Sequence, residues 1–168
     1  MTFHVRCDSV DATQRVAAAI ESLLHAGDVL VLAGDLGGGK TAFVQGLARA
    51  MGITGRVTSP TFTLAQTYFS SGGRLTLHHL DVYRLDNLRE VIDLDLPELM
   101  ADDGVVAIEW GELIAPELPR DYLLVRMNLG STEDGPDVRV LDVEPHGASW
   151  SSREDAMASA LKPLQGTA

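Results

Sequence analysis

An apolar run, Val29-Leu30-Val31-Leu32-Ala33, leads directly into Gly34-Asp35-Leu36-Gly37-Gly38-Gly39-Lys40-Thr41. The residues that follow place Phe43, Val44, Leu47, Ala48 and Met51 on one helical face before Gly52 can end the helix. Buried strand, glycine-rich turn and amphipathic helix, in that order, make the context a phosphate-binding loop requires. Four glycines let the backbone bend tightly and turn successive N–H groups inward, at the positive end of a helix dipole. The pattern implies that Gly34, Asp35, Leu36, Gly37, Gly38 and Gly39 wrap a chain of phosphates, as in a nucleoside triphosphate. Lys40 is expected to reach the β- and γ-phosphates, and the Thr41 hydroxyl to meet a Mg2+ ion bridging them, a hard cation that prefers oxygen ligands. Lys40 and Lys162 are the only lysines in a chain that otherwise uses arginine.

Around this unit the pattern predicts an α/β fold. Thr2 to Cys7 reads as a strand, and Ser9 to Leu24 as a helix burying Val16, Ile20, Leu23 and Leu24. Residues 63–68 and 74–80 read as two strands of a hairpin joined by Ser70-Ser71-Gly72-Gly73. Asp86 to Met100, with Pro97, predicts two short helices, and Val105 to Ile108 another buried strand. Tyr122 to Leu129 and Val138 to Val143 alternate apolar and polar residues around Asp134-Gly135-Pro136, an antiparallel pair. The expected architecture is a three-layer sandwich like that of the P-loop NTPases, with a mixed, mainly parallel central sheet. One domain is expected over 1–146. The Ser- and Ala-rich segment 147–168, with a helix-like run at 156–164, is expected as a C-terminal tail, mobile or partly helical.

Two strands of this scheme end in a carboxylate, Asp81 and Glu109, on the sheet edge where ligands of such folds bind. Glu109, after a wholly apolar run, is the stronger expectation for Mg2+ coordination, directly or through water. Asp81 is expected to hold a metal-bound water or orient an attacking one, the alternative being a pair with Arg84. Thr58-Ser59-Pro60-Thr61-Phe62-Thr63 is rich in hydroxyls, and Ser59 and Thr61 are candidates for sensing the γ-phosphate. The alternative is a turn whose hydroxyls satisfy themselves. His78 and His79 are adjacent, so on a strand they face opposite ways and cannot share a metal; both read as structural. Trp110 either stacks on a nucleotide or partner, or belongs to the core rim.

The net charge of −11 argues against direct nucleic-acid binding, which draws its affinity from Lys and Arg on phosphates. The single cysteine, Cys7, excludes an intramolecular disulfide. With no basic-plus-apolar leader and no apolar run of membrane-spanning length, a soluble cytoplasmic protein is expected.

Taken together, Gly-Asp-Leu-Gly-Gly-Gly-Lys-Thr at 34–41, Ser-Pro-Thr-Phe-Thr-Leu at 59–64, His-Leu-Asp-Val-Tyr-Arg at 79–84 and Glu-Trp at 109–110 resemble the TsaE family, also called YjeE. That family is the ATPase subunit of the bacterial machinery that makes threonylcarbamoyladenosine at position 37 of tRNAs. The likeness runs from about residue 8 to about residue 144. It implies ATP and Mg2+ as cofactors, slow hydrolysis, and association with the TsaB and TsaD proteins, tRNA being met only through those partners. By position it makes Thr41 and Glu109 the magnesium ligands, Asp81 a residue needed for hydrolysis, and Trp110 a neighbour of the nucleotide. It also sets Ser9 and Thr13 beside the adenine. Alanine is usual in the family where this chain has Gly38, a change expected to loosen the loop without removing a donor. Two other readings of the residues stay open. A small-molecule kinase would need an acceptor pocket and a lid, and no Arg-rich lid segment is visible. A nucleotide-dependent binding switch of the GTPase kind would need Asn-Lys-x-Asp, which is absent.

Overall fold

The computed structural model of the chain describes residues 1–72, 74–85, 88–101, 103–131, 133 and 135–165. In chain order it forms β1 (Phe3–Cys7), α1 (Val10–Glu21), β2 (Val29–Ala33), α2 (Lys40–Ala50), β3 (Ala65–Phe69), β4 (Thr76–Asp81), α3 (Leu88–Asp93), α4 (Leu96–Leu99) and β5 (Gly104–Glu109). A 3-10 segment, Gly111–Glu117, leads to β6 (Tyr122–Leu129), β7 (Arg139–His146), α5 (Gly147–Ser151) and α6 (Glu154–Leu161). All seven strands join one sheet in the order β1-β7-β6-β2-β5-β4-β3. The four central strands β6, β2, β5 and β4 run parallel, and antiparallel strands flank them on both sides.

The central strands are continuous apolar runs because both of their faces are covered. In β2, Leu30 and Leu32 point into a large core with α1, α2 and α6, while Val29, Val31 and Ala33 point into a smaller one with Leu96 of α4 and Ile114. β5 divides its side chains the same way: Val105 and Ala107 face the first core, Val106 and Ile108 the second. Ser9 caps α1 by accepting the Ala12 N–H at 3.2 Å. Val16, Ala17 and Ile20 then fall on one helical stripe and are buried. Burying each larger side chain of this kind stabilises the fold by roughly 1.5–3 kcal/mol.

The segment from 147 is partly helical, as its helix-like run implies, but it packs into the core rather than standing off as a mobile tail. α5 and α6 deliver Trp150, Met157 and Leu161, all fully buried, into the larger core. Arg153, between the two helices, fixes them to the loop before β2. Its Nη1 donates to Asp28 Oδ2 at 2.6 Å and to the Leu23 carbonyl at 2.9 Å. Its Nη2 donates to Asp28 Oδ1 at 2.8 Å and Ser149 Oγ at 2.9 Å, and its Nε to the Ser149 carbonyl at 3.1 Å. All five guanidinium donors are thus used, and the buried Asp28 carboxylate is paired in two-pronged fashion. No helix of the described residues is long and apolar enough to cross a membrane.

Candidate functional site

The loop at the end of β2 is shaped by close backbone contact. Gly34 has φ 114°, and a Cβ there would overlap the Met127 carbonyl of neighbouring β6, so no other residue fits without moving the strand. Gly34→Ala is therefore expected to lower the melting temperature and, if the loop holds a nucleotide, to collapse that affinity with it. A variant that binds ATP like the unaltered chain in calorimetry would contradict this. Gly38 departs from the sequence expectation. It is buried, and a Cβ on it would lie 2.8 Å from the Met127 carbonyl oxygen and 2.9 Å from that of Asp35. Glycine at 38 is accordingly packed against β6 rather than simply loosening the loop.

Gly39, with φ 102°, starts α2 and has no side chain to cap it. The amides of the first helical turn therefore await an acceptor, at the positive end of the helix dipole. Lys40 is only 5% exposed. Its Nζ donates to the Gly34 carbonyl at 2.6 Å and the Asp35 carbonyl at 2.8 Å, and lies 3.6 Å from the centre of the Trp110 ring. Burial lowers the Lys40 pKa below the usual lysine value, while Glu109 first, then Glu112, Asp81 and Asp35, oppose that shift. Four carboxylates thus act on the ammonium from a distance while two main-chain carbonyls hold it. Trp110 follows β5 in a left-handed conformation, φ 62°, and packs its ring 4.8 Å from that of Tyr83.

Parallel pairing of β4 with β5 sets Asp81 directly opposite Glu109 at the sheet edge. Both are 3% exposed. The Thr41 hydroxyl meets Glu109 at 2.9 Å from Oε1 and 3.1 Å from Oε2. Asp81 Oδ2 accepts the Ser59 hydroxyl at 2.9 Å and the Thr61 hydroxyl at 2.7 Å, and Oδ1 accepts the Tyr83 N–H at 3.0 Å. Arg84 does not pair with Asp81 but lies over the Phe62 ring, 4.6 Å from its centre. Of the hydroxyls in 58–63, those of Ser59 and Thr61 thus meet Asp81 and also each other, at 2.6 Å, while the turn closes on itself through the Pro60 carbonyl, which accepts the Thr63 and Leu64 amides and the Thr63 hydroxyl.

One cavity of about 530 Å³ is lined by Gly37, Gly38, Gly39, Lys40, Thr41, Ser59, Thr61, Asp81, Glu109 and Trp110, with Leu36 at its exposed rim. Gly34 and Asp35 are not among its lining residues and present their carbonyls to Lys40. Ser9 and Thr13 are not in this cavity. They line a second cleft of about 250 Å³ that shares Gly37, Gly39 and Ala42 with the first, so the loop runs between two compartments. A cation beside Thr41 would find one hydroxyl and one or two carboxylates. Among the described residues no three His, Cys, Asp or Glu side chains converge on a metal site. Hard oxygen donors that few, with the balance left to phosphate and water, suit Mg2+.

Glu112 and Arg139 of this neighbourhood carry no motif in the sequence, and His79, inside the 79–84 block, reads there only as structural. Glu112 Oε1 accepts the Gly34 amide at 3.3 Å, and its Oε2 is buried without a partner. Arg139 Nε donates to the Gly37 carbonyl at 3.1 Å. His79 is fully buried, with Nε2 2.8 Å from Glu109 Oε1, whereas His78 faces the other way and meets Thr67 Oγ1 at 2.9 Å. The two histidines do point to opposite faces, but His79 is a member of the site. Its two-residue offset from Asp81 on one strand was the available signal.

The family model described as threonylcarbamoyl adenosine biosynthesis protein TsaE matches residues 7–136. The chain belongs to the TsaE family. It is 49% identical over 127 residues to the tRNA threonylcarbamoyladenosine biosynthesis protein TsaE of Treponema pallidum, covering 74% of this chain and 92% of that protein. To the protein of the same name from Streptomyces coelicolor it is 39% identical over 136 residues, covering 80% and 91%. The crystal structure of Bacillus subtilis YdiB superposes with a TM-score of 0.75 at 30% identity, covering 95% of each chain. TsaE-family proteins are thus named for tRNA threonylcarbamoyladenosine biosynthesis. Both compartments of the site have residues inside the matched span, and Arg139, α5 and α6 lie beyond it.

Proposed function

We propose that this TsaE-family protein binds ATP with Mg2+, hydrolyses it slowly in the cytoplasm, and supports the TsaB–TsaD pair in forming threonylcarbamoyladenosine at position 37 of tRNAs. The observation that carries the ATP half is the meeting of the Thr41 hydroxyl with the Glu109 carboxylate, at 2.9 Å, at the mouth of an uncapped, glycine-built helix start that holds a buried lysine. Family membership carries the tRNA half.

In this reading Lys40 leaves the Gly34 and Asp35 carbonyls for the β- and γ-phosphates. Thr41 and Glu109 would hold Mg2+, which when bound neutralises charge developing on the phosphate oxygens. The first-turn amides of α2 take the phosphate chain, and the Ser9–Thr13 cleft takes the nucleoside. Asp81 exchanges its bonds to Ser59 and Thr61 for a hold on the attacking water, which frees those hydroxyls for the γ-phosphate and orders 58–63 as a surface for the partner pair. Release of phosphate returns the hydroxyls to Asp81. With net charge −11, the chain leaves contact with tRNA to its partners.

Asp81→Ala is expected to bind ATP within about threefold of the unaltered chain, yet to lose roughly 10²-fold or more in turnover with the partners present, the range for a group that positions or deprotonates a nucleophile. Normal turnover by this variant would remove the role. Cells depleted of their own TsaE, complemented with this chain and assayed for the modified nucleoside, test the tRNA step. Failure to restore it, with the partner proteins compatible and present, would leave only an ATP-binding protein. GTP displacing ATP at equal concentration, or phosphate passing to a metabolite without partners, would favour the switch or kinase readings instead.

A further inference from the structure

The carboxylate expected to face the cation has a second donor at its back. Glu109 Oε1 accepts from His79 Nε2 at 2.8 Å as well as from Thr41 Oγ1 at 2.9 Å. Thr41 has a single hydroxyl proton, shared between Oε1 and Oε2, so it cannot by itself fix both carboxylate oxygens. His79 and Thr41 are the donors to Glu109 among the described residues. The imidazole reaches because β4 and β5 run parallel with His79 opposite Ala107, whose small side chain leaves the diagonal to Glu109 clear.

His79 is an expensive way to fill that place. It is 0% exposed, and its Nδ1 is buried with no hydrogen-bond partner. Of the neighbours on its face Leu77, Val105 and Ala107 are apolar and fully buried, and Gln66, opposite it on β3, accepts from the Tyr68 hydroxyl and does not meet Nδ1, so an aliphatic side chain would avoid an unmet polar atom. The unpartnered Nδ1 also decides the tautomer: a proton there would have no acceptor, so Nε2 carries it and donates to Glu109. A fully buried polar group kept half satisfied, with its one bond made to a site carboxylate, has the arrangement of an outer-shell partner that orients a metal ligand.

We propose that His79 is a positioning residue for Glu109, holding its carboxylate in the orientation that Mg2+–nucleotide binding uses. This rests on the Mg2+–ATP reading above. The test is calorimetric titration of a non-hydrolysable ATP analogue into the full chain, with Mg2+ and with EDTA, the readout being the affinity gained from Mg2+. His79→Leu is expected to bind within about twofold of the unaltered chain in EDTA while its gain from Mg2+ falls about 10- to 100-fold, the usual cost of losing an outer-shell partner. His79→Gln, whose amide N–H can take the place of Nε2–H, is expected to keep the gain within about threefold. Should His79→Leu not fold, His79→Asn replaces it, because its shorter amide cannot reach Glu109. An undiminished gain in His79→Leu or His79→Asn overturns the proposal, and so does a loss in His79→Gln equal to theirs. If instead the unaltered chain binds no nucleotide, or gains nothing from Mg2+, the ATP reading itself fails and this proposal falls with it.

Discussion

Trp150→Ala should melt roughly 10 °C or more below the unaltered chain, because emptying a fully packed tryptophan site costs about 3–5 kcal/mol and proteins of this size shift by a few degrees per kcal/mol. The indole is fully buried among core residues fed by α1 and β1, on a segment whose composition suggests a tail. Its Nε1–H has no acceptor, so Trp150→Phe gives up no hydrogen bond and is expected to cost far less. Arg153→Ala should approach the alanine effect by another route. It leaves the Asp28 carboxylate, 7% exposed, without its guanidinium, and stranding one partner of a buried pair costs about 3–5 kcal/mol. The double variant Asp28→Ala with Arg153→Met, which strands no charge, should recover much of that loss. Urea unfolding measures all four. A Trp150→Ala transition within a degree or two of the unaltered protein would mean that 147–165 is not part of the cooperative fold. None of these residues lines either compartment of the site, so nucleotide affinity at a temperature where each variant is folded should be unchanged.

If the proposed ATP site is right, Lys40→Ala is expected to carry the largest loss of function. Removing one partner of a desolvated charge contact costs about 2–5 kcal/mol. That corresponds to roughly 30-fold to several-thousand-fold in ATP affinity. The same lysine sets a pH dependence whose direction follows from its burial. In the nucleotide-free protein its pKa lies below that of an unfolded lysine, so between the two values the unfolded chain binds the extra proton. Stability of the free fold should therefore rise with pH across that window. A bound triphosphate favours the ammonium and raises the pKa again. ATP affinity should then be complete below the free-protein value and fall as pH climbs from it towards the bound one, and the fall should vanish in Lys40→Ala. Calorimetry over that alkaline range decides the point: a slope unchanged by the substitution would assign the titration to another group.

The parts of the site readable along the chain are those set by local rules. A strand period of two, a helix period near 3.6 and glycines at a turn mark β2, the loop and α2, and the same period leads β4 and β5 to their terminal carboxylates. Hence Lys40, Thr41, Asp81 and Glu109 are legible along the chain. Trp150, Met157 and Leu161 are harder to read. Apolar residues in a Ser- and Ala-rich stretch give no hint of what they cover until α1 and β1 are in place.

What the residues determined alone is an α/β chain with a glycine-rich loop between strand and helix and two acidic strand ends, because hydrogen bonding and side-chain alternation within a few residues suffice for that. Only the assembled sheet decided which of those ends meets which neighbour. Thr41 and Glu109 are 68 positions apart, His79 and Glu109 30, Asp28 and Arg153 125. Such encounters depend on strand order and register, where a shift of one residue would turn His79 away from Glu109, and no local pattern carries that information.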